Sequence, residues 1–164
     1  MPVSQILQAS LASGVPSSVA RSALPTGSVL QVVSATSSTI TITSSTSYVD
    51  CTGITASITP TSATSKILVL ITAAGIYKGT NSGQAVSLRV LRGASVITSQ
   101  INIAYSTTAI DFVAETGFVY LDSPATTSST TYKLQIKARV SGAVQINQDN
   151  SADISTVTLM EIAA

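Results

Sequence analysis

The sequence predicts an all-β protein, a two-sheet sandwich or barrel of about ten short strands, preceded by a short arm of different character. Three observations carry that expectation. From Ser28 onward, apolar residues alternate with hydroxyl-bearing ones, the period-two pattern of strands that keep one face on a core. Turn-forming clusters interrupt the alternation about every ten residues, and no helical period appears after residue 27. The turn Pro60-Thr61-Ser62-Ala63-Thr64-Ser65 runs straight into Lys66 and five large aliphatic residues, Ile67 to Ile71. So short an apolar run reads as a strand buried on both faces in the middle of a sheet.

With 164 residues the chain suits one globular unit. A domain of that size buries about 70% of its unfolded surface and needs neither disulfide nor metal to fold. Charged side chains are 9% of the residues and the net charge is +1, whereas Ser and Thr number 50. The surface is therefore covered with hydroxyls, and no basic run exists to hold nucleic acid. No segment approaches the ~18 apolar residues of a membrane helix, and no secretory leader is expected. Cys51 is the one cysteine, so no intrachain disulfide can form, and a small buried hydrophobe is its expected role.

The arm covers residues 1–27. Val3, Ile6, Leu7 and Leu11 fall at i, i+3, i+4 and i+8, one face of a short helix that Gly14 and Pro16 would end. A helix of about ten residues is marginal alone in water, so this apolar face needs a cover. Residues 14–27 then read as an extended linker punctuated by Pro16 and Pro25. The sandwich covers residues 28–164, with strands expected at Val29–Ser34, Thr39–Thr43, Tyr48–Cys51, Gly53–Thr59 and Lys66–Tyr77. Further strands are expected at Ala85–Arg92, Ser95–Ala104, Ala109–Leu121, Thr131–Val140, Ala143–Gln148 and Ile154–Ile162. Within Ala109–Leu121, Gly117 is the expected bulge. In Thr131–Val140, Tyr132, Leu134, Ile136, Ala138 and Val140 face one way and Lys133, Gln135, Lys137 and Arg139 the other.

No catalytic constellation is visible. The chain has no histidine, which removes Ser-His and Cys-His nucleophile pairs and imidazole metal sites. Of the seven acids, Asp111 and Glu115 share a strand face at about 13 Å, too far apart for a glycosidase pair on a regular strand. Asp149, Asn150, Ser151 and Asp153 offer oxygen ligands for calcium but lack the glycine and the distal glutamate of an EF-hand loop, so an Asx turn is expected. Arg89, Arg92, Lys133, Lys137 and Arg139 are expected on a common sheet face, toward solvent or toward acids of a neighbouring subunit. No enzyme activity, cofactor or metal is expected.

Several stretches resemble a known family. These are Gly27 to Val33 (GSVLQVV), Tyr48-Val49-Asp50 with Thr52-Gly53-Ile54, and Ile58 to Val69 (ITPTSATSKILV). With Asp122-Ser123-Pro124 and Thr158-Leu159-Met160-Glu161-Ile162, they resemble a β-domain of tailed-bacteriophage structural proteins over residues 27–162. Cys51 departs from the pattern, where another small residue would be expected. The resemblance implies a jelly-roll β-sandwich of about 8–10 antiparallel strands, like the tumour-necrosis-factor and C1q heads, assembled as a homotrimer. It implies a virion component made in the host cytoplasm. Three roles follow: a capsid decoration (cement) protein, the head of a tail or head fibre that binds a host receptor, or a glycan-degrading spike. The missing acid pair speaks against the last, and the absence of shaft repeats speaks for the first. Val3, Ile6, Leu7, Leu11 and Val15 are then the candidate anchoring residues, gripping the major capsid protein or another virion protein, with no nucleic-acid or membrane partner.

Overall fold

The computed structural model describes residues 24–149 and 151–164. The expected N-terminal helix and the candidate anchors Val3, Ile6, Leu7, Leu11 and Val15 lie outside the described residues. Among the described residues, ten strands follow one another: β1 (Val29–Ser37), β2 (Thr41–Thr43), β3 (Val49–Ile58), β4 (Lys66–Lys78), β5 (Gln84–Arg92), β6 (Ser95–Ser106), β7 (Phe112–Asp122), β8 (Thr130–Ala138), β9 (Val144–Ile146) and β10 (Ser155–Ile162). No helix is present among the described residues.

The pairing is nested and antiparallel throughout. The first strand pairs with the last, β2 with β9, β3 with β8, β4 with β7 and β5 with β6. Such a chain is one long hairpin rolled up on itself, which is the construction of a jelly roll. Rolling adds the lateral pairs β10·β4, β4·β9 and β5·β8 and closes two sheets. One sheet runs β1-β10-β4-β7, and the short β9-β2 pair continues beside β10 along the same edge of β4. The other runs β3-β8-β5-β6.

The core is the slab between the sheets, filled by alternate residues of each strand. Ile67, Val69 and Ile71 of β4 and Val157 and Leu159 of β10 meet Ile54, Ile58, Val86, Leu88, Leu134 and Ile136 from the facing sheet. Their alternation with hydroxyl residues is the reason each strand has one wet face. The apolar run of β4 is central as expected, flanked by β10 and β7, but only one of its faces is sealed. Leu68 and Leu70, pointing the other way, are half-buried.

Among several register shifts, two mark bends in β4 and β3. Between Ala73 and Ile76, β4 advances three residues while β7 advances two, so the extra residue lies in β4. Gly75 sits there at φ +54°, and a side chain would run into the Asp153 carboxylate and the Gln148 backbone nitrogen. Here β4 changes neighbour from β10 to β9, with the Asn147 N–H bonded to Ala74 O at 3.0 Å. The bulge expected at Gly117 is absent: that residue pairs in register with Thr72. The second irregularity merges two expected strands into β3, which loops out residues between Asp50 and Thr55.

Buried polar groups are paired; none lacks a partner among the described residues. Asn147 donates to Ser37 O and Thr39 O, both at 3.0 Å, and accepts from Ser155 Oγ at 2.6 Å, tying β9 and β10 to the end of β1. Asp122 receives Arg92 Nη1 at 2.8 Å and Tyr132 Oη at 2.7 Å, bracing β7 of one sheet to β5 and β8 of the other. That pairing and the burial of the ring push the Tyr132 hydroxyl well above the usual phenol range, burial being the larger cause.

Candidate assembly surface

None of the chemical candidates assembles into a reaction centre. Asp111 precedes β7 rather than sharing it with Glu115, and its Oδ1 accepts the Tyr77 hydroxyl at 3.0 Å. Glu115 lies exposed on β7. The turn before β10 is an Asx turn as expected: Asp149 Oδ1 accepts the Ser151 N–H at 3.0 Å, and Asp153 Oδ2 accepts the Asp149 N–H at 2.8 Å. Both carboxylates are thus occupied by their own loop, and no group of three metal-ligating side chains occurs among the described residues. Cys51 is buried in the core cluster, and burial, then the Asp50 charge, push its thiol far above the range in which a thiolate forms.

The basic residues divide. Arg92 leaves the expected face and turns into the Asp122 brace, because its position at the end of β5 brings it over the last residue of β7. Lys133 pairs with Asp50 at 2.9 Å. The hydrogen bond from Lys133, then that from Gln135, hold the Asp50 carboxyl below its ordinary value. Arg89, Lys137 and Arg139 have no carboxylate partner among the described residues and lie instead over aromatic rings, Arg89 and Lys137 over Tyr48 and Arg139 over Tyr105.

The largest departure from a solvated monomer surface is apolar. Of thirteen exposed large apolar residues among the described residues, nine lie between Val96 and Leu121, on β6, β7 and their connection. They include Ile101 at 67% exposure, Phe112, Val113, Val119 at 75% and Leu121. Strands β6 and β7 are the adjacent edges of the two sheets, bridged by Gln100 donating to Gly117 O at 2.9 Å and accepting Thr116 Oγ1 at 2.5 Å. Around the corner, the outer face of the first sheet is also apolar. Cross-strand register places Val32, Met160, Leu68 and Leu121 in one row over β1-β10-β4-β7, with Leu70 and Val119 in the next. The row after that, Thr36-Thr156-Thr72, is hydroxyl-bearing, which bounds the patch. The sequence signal was present in Phe118-Val119-Tyr120-Leu121, four apolar residues in succession on an edge strand, where alternation would need only two.

The arm's exit lies beside this face. Gly27 N–H bonds to Ala163 O at 2.8 Å and Ala163 N–H to Ser28 O at 2.9 Å, so the chain enters β1 against the end of β10. A groove of about 490 Å³ opens there, lined by Leu24, Leu30, Thr61, Ser62, Ser65 and Ala163 among others.

The fold and surface describe a jelly-roll β-sandwich with an unusually apolar edge. No family model matches the chain, and no curated protein matches it significantly. Among solved structures, it is similar to the VP2 subviral particle of infectious bursal disease virus, with 14% identity, TM-score 0.42, and coverage of 82% of this chain and 38% of that one. A T13 viral particle of the same virus gives 12% identity and TM-score 0.46 over 92% and 39% of the two chains. Dimeric latent PorU of Porphyromonas gingivalis gives 11% identity and TM-score 0.32 over 85% and 14%. The chain spans about two-fifths of the length of the viral chains it matches.

Proposed function

We propose that this chain is a non-enzymatic structural subunit of a virion: a homotrimeric capsid decoration (cement) protein attached to the major capsid protein through residues 1–27. The observation that carries the assembly is the apolar edge of β6 and β7. A free monomer rarely presents so large a contiguous apolar surface, and sheet edges in particular are kept charged or covered. The edge of one copy set on the Val32-Met160-Leu68-Leu121 face of the next is a heterologous contact, which closes into a ring when its rotation allows. The ring size of three rests on the sequence resemblance to tailed-phage β-domains.

The attachment rests on composition and valency. Val3, Ile6, Leu7, Leu11 and Val15 offer about 1.5–3 kcal/mol each on full burial, much of it offset by the cost of ordering. Three arms per assembly make later contacts intramolecular, so weak single arms suffice for lasting attachment. The second reading, the trimeric head of a tail or head fibre binding a host receptor, is favoured by the unpaired cations around Tyr48. Copy number on the particle separates the two: hundreds for decoration, a few trimers for a fibre.

The test uses three proteins. The full chain should sediment as a trimer at micromolar concentration and coat shells. Val119→Asp with Leu121→Asp should give a folded monomer, since buried charge without a partner opposes the contact. Deletion of 1–27 should leave a folded trimer that no longer coats shells. A monomeric full chain, or a truncated chain that coats normally, overturns the proposal.

A further inference from the structure

The β3-β8-β5 face carries a feature that assembly does not use. Tyr48, just before β3, supports two cations on its ring: Arg89 Cζ lies 4.0 Å and Lys137 Nζ 4.9 Å from the ring centroid. The two charges are thus no more than about 9 Å apart, the sum of those distances. Two positive charges on one ring favour an anion that can meet both. Among the described residues no carboxylate bonds to either cation: the acid on this face, Asp50, is taken by Lys133 Nζ at 2.9 Å and Gln135 Nε2 at 2.6 Å, and it reaches Arg89 only through its charge. The arrangement is also fixed. Gln135 Oε1 accepts Arg89 Nε at 2.7 Å, which orients the guanidinium plane and leaves its terminal nitrogens for another acceptor. Arg139, exposed two residues beyond Lys137, seated 5.0 Å over Tyr105 and donating Nη1 to Gly83 O at 2.6 Å, continues the row with its remaining nitrogens.

We propose that this face binds the acidic groups of an anionic polysaccharide, with Arg89 and Lys137 taking one carboxylate or sulfate between them and Arg139 the next along the chain. Three features favour a glycan over nucleic acid. The free cations are few, whereas a grip on a phosphate backbone uses many. The ring of Tyr48 already carries two cations, so it offers no platform for base stacking. The turn that leads into Tyr48 is hydroxyl-bearing, with Ser45 Oγ donating to Ser47 O at 2.9 Å, and hydroxyls suit sugar rings. Tyr48, Arg89 and Lys137 lie on the opposite sheet from the Val32-Met160-Leu68-Leu121 face, so a monomeric variant would retain them, whereas Arg139 adjoins the β6 edge through Tyr105.

The experiment measures binding of the full chain to immobilised polygalacturonate, dextran sulfate and neutral dextran, with single-stranded DNA as competitor. Binding to at least one anionic polymer, none to neutral dextran and a loss of about tenfold or more in Arg89→Gln with Lys137→Gln is expected. Lys66→Gln, on the other sheet, should leave binding unchanged. On the wild-type chain, the bound polymer should protect Lys137 but not Lys66 from acetylation, a readout that needs no variant to fold. Absence of binding to both acidic polymers overturns the proposal. So do equal losses in Lys66→Gln, lack of protection at Lys137, or preferential displacement by DNA.

Discussion

Glu161 is a carboxylate with no solvent exposure in the middle of a sheet. Its Oε1 accepts the Thr61 N–H and hydroxyl, both at 2.7 Å, and its Oε2 accepts the Gln31 amide at 2.6 Å. Burial alone would raise its pKa, but the hydrogen bonds from Thr61, Gln31 and Ser65 outweigh it and the net shift is downward. A folded value below the unfolded one of about 4.3 means its contribution is complete above that pH and is lost as pH falls through the lower folded value. Glu161→Gln should therefore lose about 1–3 kcal/mol at neutral pH by pointing an amide at donors. The gap between variant and wild type should narrow below pH ~4; urea titrations at pH ~7 and pH ~3 check both. The residue was legible in principle. Val157, Leu159 and Glu161 share one parity on β10, so the pattern that buried the first two placed the acid inside as well. What the sequence did not contain was its partner set, because Gln31 and Thr61 are brought to it by pairing across the whole chain. The same holds for Asp122, whose donors Arg92 and Tyr132 come from two other strands, β5 and β8.

At the scale of elements, strand positions were readable and bulges were not. Alternation located every strand to within a few residues, since a strand's period depends only on its own sequence. A bulge depends on which partner each half of a strand needs. Gly117 had the right residue type, yet it pairs in register, while Gly75 bends β4 where β9 replaces β10. Gly75→Ala should cost about 2–4 kcal/mol, combining left-handed backbone strain with a collision at Asp153 and Gln148. A melting-temperature drop of about 5–15 °C is expected. Gly117→Ala, whose added methyl would meet only Ile71 O at 3.6 Å, should leave the melting temperature nearly unchanged. Equal effects at the two glycines would contradict this account. The both-face burial expected of β4 is a related case: Leu68 and Leu70 are large enough for an interior, but the second cover lies in another molecule under the proposed assembly. The apolar edge was missed for a different reason, since hydropathy marks a residue as wanting cover without saying which molecule supplies it.

At the scale of the whole molecule, nested pairing makes the earliest and latest residues neighbours, Val29 with Ile162. Only the innermost pair, β5 with β6, is closed by a short turn; every other pair closes a longer loop. Refolding should therefore be slow for the chain's size, in the millisecond-to-second range. It should also be indifferent to reductant, because Cys51 has no partner cysteine; stopped-flow fluorescence with and without a thiol tests both points.

The antiparallel seam between β1 and β10 also has a mechanical meaning. Residues 1–27 join the sandwich at the start of β1, so any tension on them enters there. Tension along that strand's axis loads its register pairs, from Val29 with Ile162 to Ser37 with Ser155, side by side as a shear joint. Peeling would instead break them one after another at a much lower force. Under the proposed attachment, a tether fastened this way resists sudden pulls through geometry rather than through tight binding. The Gly27 and Ala163 hydrogen bonds at the mouth of the seam are the first to carry the load.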